Sequence, residues 1–322
     1  MIARRLKVGR QQRHKDRRVA EFRPHTTFLL PGGYHDPQGA LHREVELAPL
    51  SGREEELLAD CESSTRTTFL TMLLSRCVRR LGTMSPISED VVRGLLIADC
   101  HYLVLKLREA TFGAQVQATV QCPWEACREK VDIDFSLQDI PVHESEEKGP
   151  LYTRELSPDA ALRGEQGEQY REVVFRLPNS EDQEAISPVV EEDEAKALAL
   201  LLTRCICRLG PLHAPGPAVI HRLSPLARAE IERHMAEAAP QVDLTLAAHC
   251  PECGREFAVP FDLLGFLLGE CKTSRELLYR EVHYLAYHYH WSEQDIMALP
   301  REKRRKYIAL LAEELRRVSH AF

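Results

Sequence analysis

Four cysteines are spaced for metal chemistry. Cys250 and Cys253 close the run Cys-Pro-Glu-Cys, and Cys122 and Cys127 close the run Cys-Pro-Trp-Glu-Ala-Cys. A Cys-x-x-Cys turn supplies two thiolates, whereas a structural zinc takes four in a tetrahedron. Each pair is therefore half a site, and two hairpins facing each other would complete one. The wider gap between Cys122 and Cys127 stays within the spacing that zinc knuckles use. Read without a metal, the same residues are packed small side chains or free thiols. A dithiol redox pair at Cys250 and Cys253 finds little support, because the pair does not open a helix after a strand. A catalytic zinc needs three protein ligands, an open position and usually a nearby carboxylate; neither knuckle has that form. The chain carries no Gly-rich phosphate loop, no Gly-x-Ser-x-Gly elbow and no His-Glu-x-x-His. The expectation is a structural zinc on Cys122, Cys127, Cys250 and Cys253, with no catalytic residues and no enzyme activity. His249, beside Cys250, reads as a solvated strand-edge residue. His283, His288 and His290 do not share one helical face, so they read as structural or interface residues.

The elements that must position the cysteines come in two copies. "LLSRCVRRLG" at Leu73–Gly82 and "LLTRCICRLG" at Leu201–Gly210 lie 128 residues apart. The same interval places Arg43 on Arg171 and Cys122-Pro123 on Cys250-Pro251. An ungapped offset of this length marks a tandem duplication. Each copy opens on a strand pair, the first in "TTFLLPGGYHDPQGALHREVEL". A capping box follows: Ser51 with Glu54 in the first copy, Asn179 with Asp182 in the second. An amphipathic helix comes next. Leu70, Leu73, Leu74, Cys77, Val78 and Leu81 fall at helical steps and Gly82 stops them; Leu198 to Leu209 and Gly210 repeat the pattern. Cys77 and Cys205 therefore read as core residues. A second helix, a strand, the knuckle and a further strand end each copy.

The fold class is α+β: a tandem duplication of a β-hairpin/helix/zinc-knuckle unit with an appended C-terminal helical region. The expected division is a basic flexible arm at 1–24, repeat one at 25–142, a linker at 143–150, repeat two at 151–270 and helices at 271–322. In the last region Thr273 with Glu276 reads as a helix start. Tyr284, Tyr287, Tyr289 and Trp291 exceed what one buried stripe can hold, so some are outward anchors for a partner. "REKRRK", Arg301–Lys306, reads as a basic surface ahead of an apolar stripe.

Composition bounds the rest. The chain has 322 residues, 44% of them hydrophobic, enough for one large or two ordinary domains. No apolar run approaches the roughly 20 residues of a membrane span, so no membrane partner is expected. The ten cysteines mostly fall in apolar patterns, as reduced thiols do, which points to a cytoplasmic location. Residues 1–24 hold nine Lys/Arg against Asp16 and Glu21, while the whole chain carries a net charge of −7. Such an arm is either a solvated tail or a grip on nucleic acid or an acidic protein surface.

A resemblance adds to this reading. "IADCHYLVLKLREATFGAQVQATVQCP", then "VDIDF", resembles the baseplate hub assembly proteins of contractile-tailed bacteriophages and their relatives in phage-tail-like contractile injection systems. Asp99, Leu105, Leu107, Arg108, Phe112, Gly113, Cys122 and Pro123 carry it. Arg280–His283, Trp291–Glu293 and Ala298–Pro300 are similar to the C-terminal part of longer members. Copy two departs from the pattern, with Ala227 and Ala236 where the Asp and Arg stand. The resemblance implies a non-enzymatic baseplate protein or assembly chaperone, with hub and tail proteins as partners through the C-terminal helices around Tyr284, Tyr287 and Trp291. It also implies incorporation in a tail-like particle. The alternative from the residues alone is a zinc-ribbon nucleic-acid-binding protein using residues 1–24.

Overall fold

The computed structural model describes residues 26–60, 66–147, 149–164 and 166–319. The basic arm at 1–24 lies outside the described residues. The chain folds as mixed α and β. A three-stranded antiparallel sheet, Thr26–His35, Leu41–Leu47 and Val78–Leu81, is joined by helices Gly52–Asp60, Arg66–Cys77 and Ile97–Phe112. A second antiparallel sheet, in the order Leu212–His213, Ile206–Leu209, Glu172–Phe175, Tyr152–Glu155, is joined by helices Ser180–Val190, Glu194–Cys205 and Pro225–Ala238.

The 128-residue interval recurs in the backbone. Helix Arg66–Cys77 maps onto Glu194–Cys205, and strand Val78–Leu81 onto Ile206–Leu209. Gly82 and Gly210 both turn left-handed, at φ 56° and 54°, a conformation glycine adopts without a Cβ penalty. Their N–H groups donate to Glu44 O and Glu172 O at 2.7 and 2.8 Å, positions again 128 apart. Arg80 reaches Glu44 and the Gly82 carbonyl; Arg208 reaches Glu172 and the Gly210 carbonyl.

The apolar stripe ending at Leu81 is helical only as far as Cys77. Val78–Leu81 is a strand, paired Val45↔Leu81 and Leu47↔Val78, and Ile206–Leu209 pairs with Glu172–Phe175 in the same way. The β-branched residue after each cysteine favours extended backbone, and a partner strand takes up its hydrogen bonds. Of the two expected capping boxes, the one at Asn179 forms in full and the one at Ser51 in half, its hydroxyl accepting from Arg53 N–H at 3.3 Å in place of Glu54 N–H. Glu54 accepts from Ser51 N–H at 3.0 Å, and Asn179 and Asp182 cap each other reciprocally.

The two cores do not divide as the repeats do. One is built from residues of the 152–238 stretch. The other takes the first repeat and adds Leu246, Phe261, Leu263, Leu267, Leu268 and Cys271. The hairpin Thr245–Pro260, and the helix that follows, thus pack on the first core. The 142–147 stretch crosses between the two. Val142–His143 pairs with Gln241–Val242, and Ser145 Oγ, buried, lies 2.7 Å from Ala238 O.

The C-terminal helix does not start at Thr273. It runs Leu263–Tyr289, capped by Asp262, which accepts from Gly265 N–H at 2.8 Å. Gly265 and Gly269 weaken the local helical signal, but burial of Leu263, Leu267 and Leu268 overrides it. Helices Glu293–Met297 and Arg301–Ser319 complete the region. Among the described residues no helix is long and apolar enough to cross a membrane.

Candidate metal centre

Two hairpins carry the cysteines. In the first, Gln115–Gln121 pairs with Lys130–Ser136, ending at Gln121↔Lys130. In the second, Thr245–His249 pairs with Glu256–Pro260, ending at His249↔Glu256. The residue after each first strand is a cysteine whose N–H closes the turn: Cys122 donates to Glu129 O at 2.9 Å and Cys250 to Arg255 O at 3.0 Å. The residue after each second cysteine is left-handed, Arg128 at φ 57° and Gly254 at φ 71°. The longer loop of the first hairpin therefore reaches the same turn at the expense of a non-glycine residue in a costly conformation.

The structure brings the four predicted cysteines together. Their sulfurs all lie within 4.8 Å of one another, with Cys122 Sγ 3.8 Å from Cys253 Sγ and Cys127 Sγ 3.7 Å from Cys250 Sγ. A zinc–thiolate bond of about 2.3 Å sets tetrahedron edges of about 3.8 Å, so these cross-hairpin distances fit that ion. Cys122 and Cys250 are buried and Cys127 and Cys253 half-buried, among Val131, Ala248 and Phe257. The N–H groups of Cys253 and Glu252 draw the Cys250 thiol down to about 7, while burial raises that of Cys122. Stabilised negative charge at one sulfur is what a thiolate ligand needs. A further tie lies outside the cluster: the Arg255 guanidinium sits 5.0 Å from the centre of the half-exposed Trp124 ring, one residue from each hairpin.

The two motif residues act on the backbone. A register shift in Thr26–His35 between Leu29 and Tyr34 frees the N–H groups of Gly32 and Gly33. Asp99, buried, accepts both at 2.8 Å. Arg108 donates to Gly113 O and Gln115 O, at the entry to the first hairpin, and pairs with Glu270 of the long helix at 2.7 Å.

The C-terminal helices differ from expectation at two points. Trp291 packs inward, stacked on Tyr289 at 4.9 Å and edge-on to Tyr307 at 4.9 Å. Tyr287 points outward, 70% exposed, in a run of contacting rings with His283, Tyr284 and His288. The basic run at 301–306 is not a uniform surface. Arg301 and Arg304 are buried with Glu55 and Glu281. The sequence reading missed this cluster. Its signal was the placement of Arg301 and Arg304 in line with Ile308 and Leu311, on the apolar side of the helix.

The fold and site define a mixed α and β protein in which two hairpins bring four cysteine sulfurs together. Residues 25–209 match the family model described as T4 bacteriophage base plate protein, and the chain belongs to that family. A separate family of unknown function matches residues 271–321, the helical C-terminal region. Cys122 and Cys127 fall inside the first match, whereas Cys250 and Cys253 lie between the two. No curated protein and no solved structure matches the chain.

Proposed function

We propose that the protein is a non-enzymatic component or assembly factor of the base plate of a contractile tail or tail-like injection apparatus. In this reading its two repeats arose by duplication, and one structural zinc on Cys122, Cys127, Cys250 and Cys253 clips them. The observation that carries the reading is the meeting of four thiols from distant hairpins, in a chain of the base plate family. Four sulfur ligands fill a tetrahedron and leave no position for substrate or water, which is the form of a structural site. The ion would fix the second hairpin, and with it the start of the long helix, onto the first core. The exposed rings of His283 and Tyr287, with the half-buried Tyr284 and His288 against them, would serve as the contact for a base plate partner.

The test is capture of the tagged full-length chain co-expressed with the tail proteins of its own system. Base plate subunits should co-elute, and deleting residues 1–24 should not change that. Elution without them, together with salt-sensitive DNA binding lost on that deletion, would refute the reading.

A further inference from the structure

We propose that the cysteine cluster is also a site of oxidative modification. A peroxide closes two disulfides between the hairpins, Cys122–Cys253 and Cys127–Cys250, and none within either knuckle. The inference rests on the sulfur geometry of the proposed zinc site but does not need the ion.

The cross-hairpin pairs are in contact at 3.8 and 3.7 Å. Each joins a fully buried sulfur to a half-buried one: Cys122 with Cys253, and Cys250 with Cys127. That division assigns the roles. A peroxide reaches the half-buried sulfur first, and the buried sulfur across the interface is positioned to resolve the product. At Cys253 the thiol attacks the peroxide O–O bond, giving a sulfenic acid and one water. The Cys122 sulfur then displaces the sulfenic hydroxyl, which leaves as a second water with the Cys122 proton, and the S–S bond forms. Two thiols lose two electrons to one peroxide, and the ledger closes without a further reagent. The same sequence runs from Cys127 to Cys250. Any bound zinc leaves, because a disulfide sulfur is no longer a thiolate ligand. The ionic clip is then replaced by a covalent one between the same hairpins. A chain carried from a reducing compartment in a tail-like particle would keep its repeats joined.

The sequence supplies a clean test. Glu125 lies between Cys122 and Cys127, and Glu252 between Cys250 and Cys253. Cleavage by trypsin and a glutamyl endopeptidase therefore separates all four cysteines. Full-length protein is first assayed for zinc, then treated with hydrogen peroxide with and without prior chelation, alkylated and mapped unreduced by mass spectrometry. The expected fragments join Cys122 to Cys253 and Cys127 to Cys250, and Cys253→Ser should lose the first while keeping the second. Bridges within a knuckle, bridges between molecules, or sulfinic acids in place of bridges would overturn the inference. Absence of zinc in the first assay, followed by cross-hairpin bridges, would sink the zinc reading and leave this one standing; zinc followed by within-knuckle bridges would do the reverse.

Discussion

Arg304 offers the sharpest test of how the C-terminal helices are held. Its side chain is 0% exposed, beside Glu55 at 3%. Nη2 lies 2.6 Å from Glu55 Oε1, Nε 3.1 Å from Glu281 Oε2, and Nη1 donates to Leu299 O at 2.7 Å. Arg301 Nη1 pairs with the other Glu55 oxygen at 2.9 Å, and its guanidinium sits 4.7 Å from the centre of the Phe112 ring. The cluster therefore joins helix Gly52–Asp60, the long helix and the terminal helix at one buried point. Removing one member of a buried ion pair costs about 3–5 kcal/mol, because the remaining charge keeps its desolvation penalty. Arg304→Met keeps the stem and removes the charge, leaving Glu281 to the half-exposed Arg305 at 3.4 Å and Glu55 to Arg301. We expect a loss of about 3 kcal/mol, the lower end of that range, in urea unfolding of the full chain. Arg317→Met, which breaks an exposed pair with Glu313 in the same helix, should cost under about 0.5 kcal/mol. If Arg304→Met costs no more than Arg317→Met, the cluster does not hold the region. Deleting 273–322 strips both arginines from Glu55 and uncovers the core, so that product should not fold as a stable remnant; a soluble, cooperatively melting 1–272 fragment would refute this.

The full chain should hold about one zinc, and Cys122→Ser should lower metal content as much as Cys250→Ser; independent half-sites would lose metal separately. Burial pushes the Asp99 carboxyl up to about 6, above its ordinary 3.8, against the pull of the Gly32 and Gly33 N–H groups. A raised folded-state pKa means the fold binds this proton more readily than the unfolded chain does, so the stability linked to Asp99 rises as pH falls from about 7 to about 4. Measured by urea unfolding as wild-type stability minus that of Asp99→Asn, the gain should approach about 3 kcal/mol; a wild type that loses stability relative to Asp99→Asn as pH falls over that window contradicts the assignment. A Cβ at Gly82 would lie 2.2 Å from His42 Nδ1, in a backbone at φ +56°. Gly82→Ala should therefore cost about 1–3 kcal/mol in thermal melts, and an unchanged melting temperature would count against the turn geometry.

How much of this was legible in the sequence depends on range. The cap at Asn179 and Asp182 was readable because its donors and acceptors lie within one helical turn. The switch from helix to strand after Cys77 was not, because Val78 and Leu81 continue the apolar period and only pairing with Leu41–Leu47 makes them extended. The start of the long helix was hidden for a related reason: its glycines argue against a helix locally, and burial against the other repeat outweighs them. The sequence also could not divide "REKRRK" into buried and exposed arginines, since burial depends on Glu55 and Glu281 arriving from other helices.

By itself the sequence determined the 128-residue interval and the spacing of each cysteine pair, because both are properties of consecutive residues. Tertiary structure decided that the second hairpin would pack against the first core and not its own. Hydrophobic burial is non-directional, so alternation marks which faces are buried without naming what covers them. The meeting of Cys122 with Cys253, and of Cys127 with Cys250, follows from that packing choice.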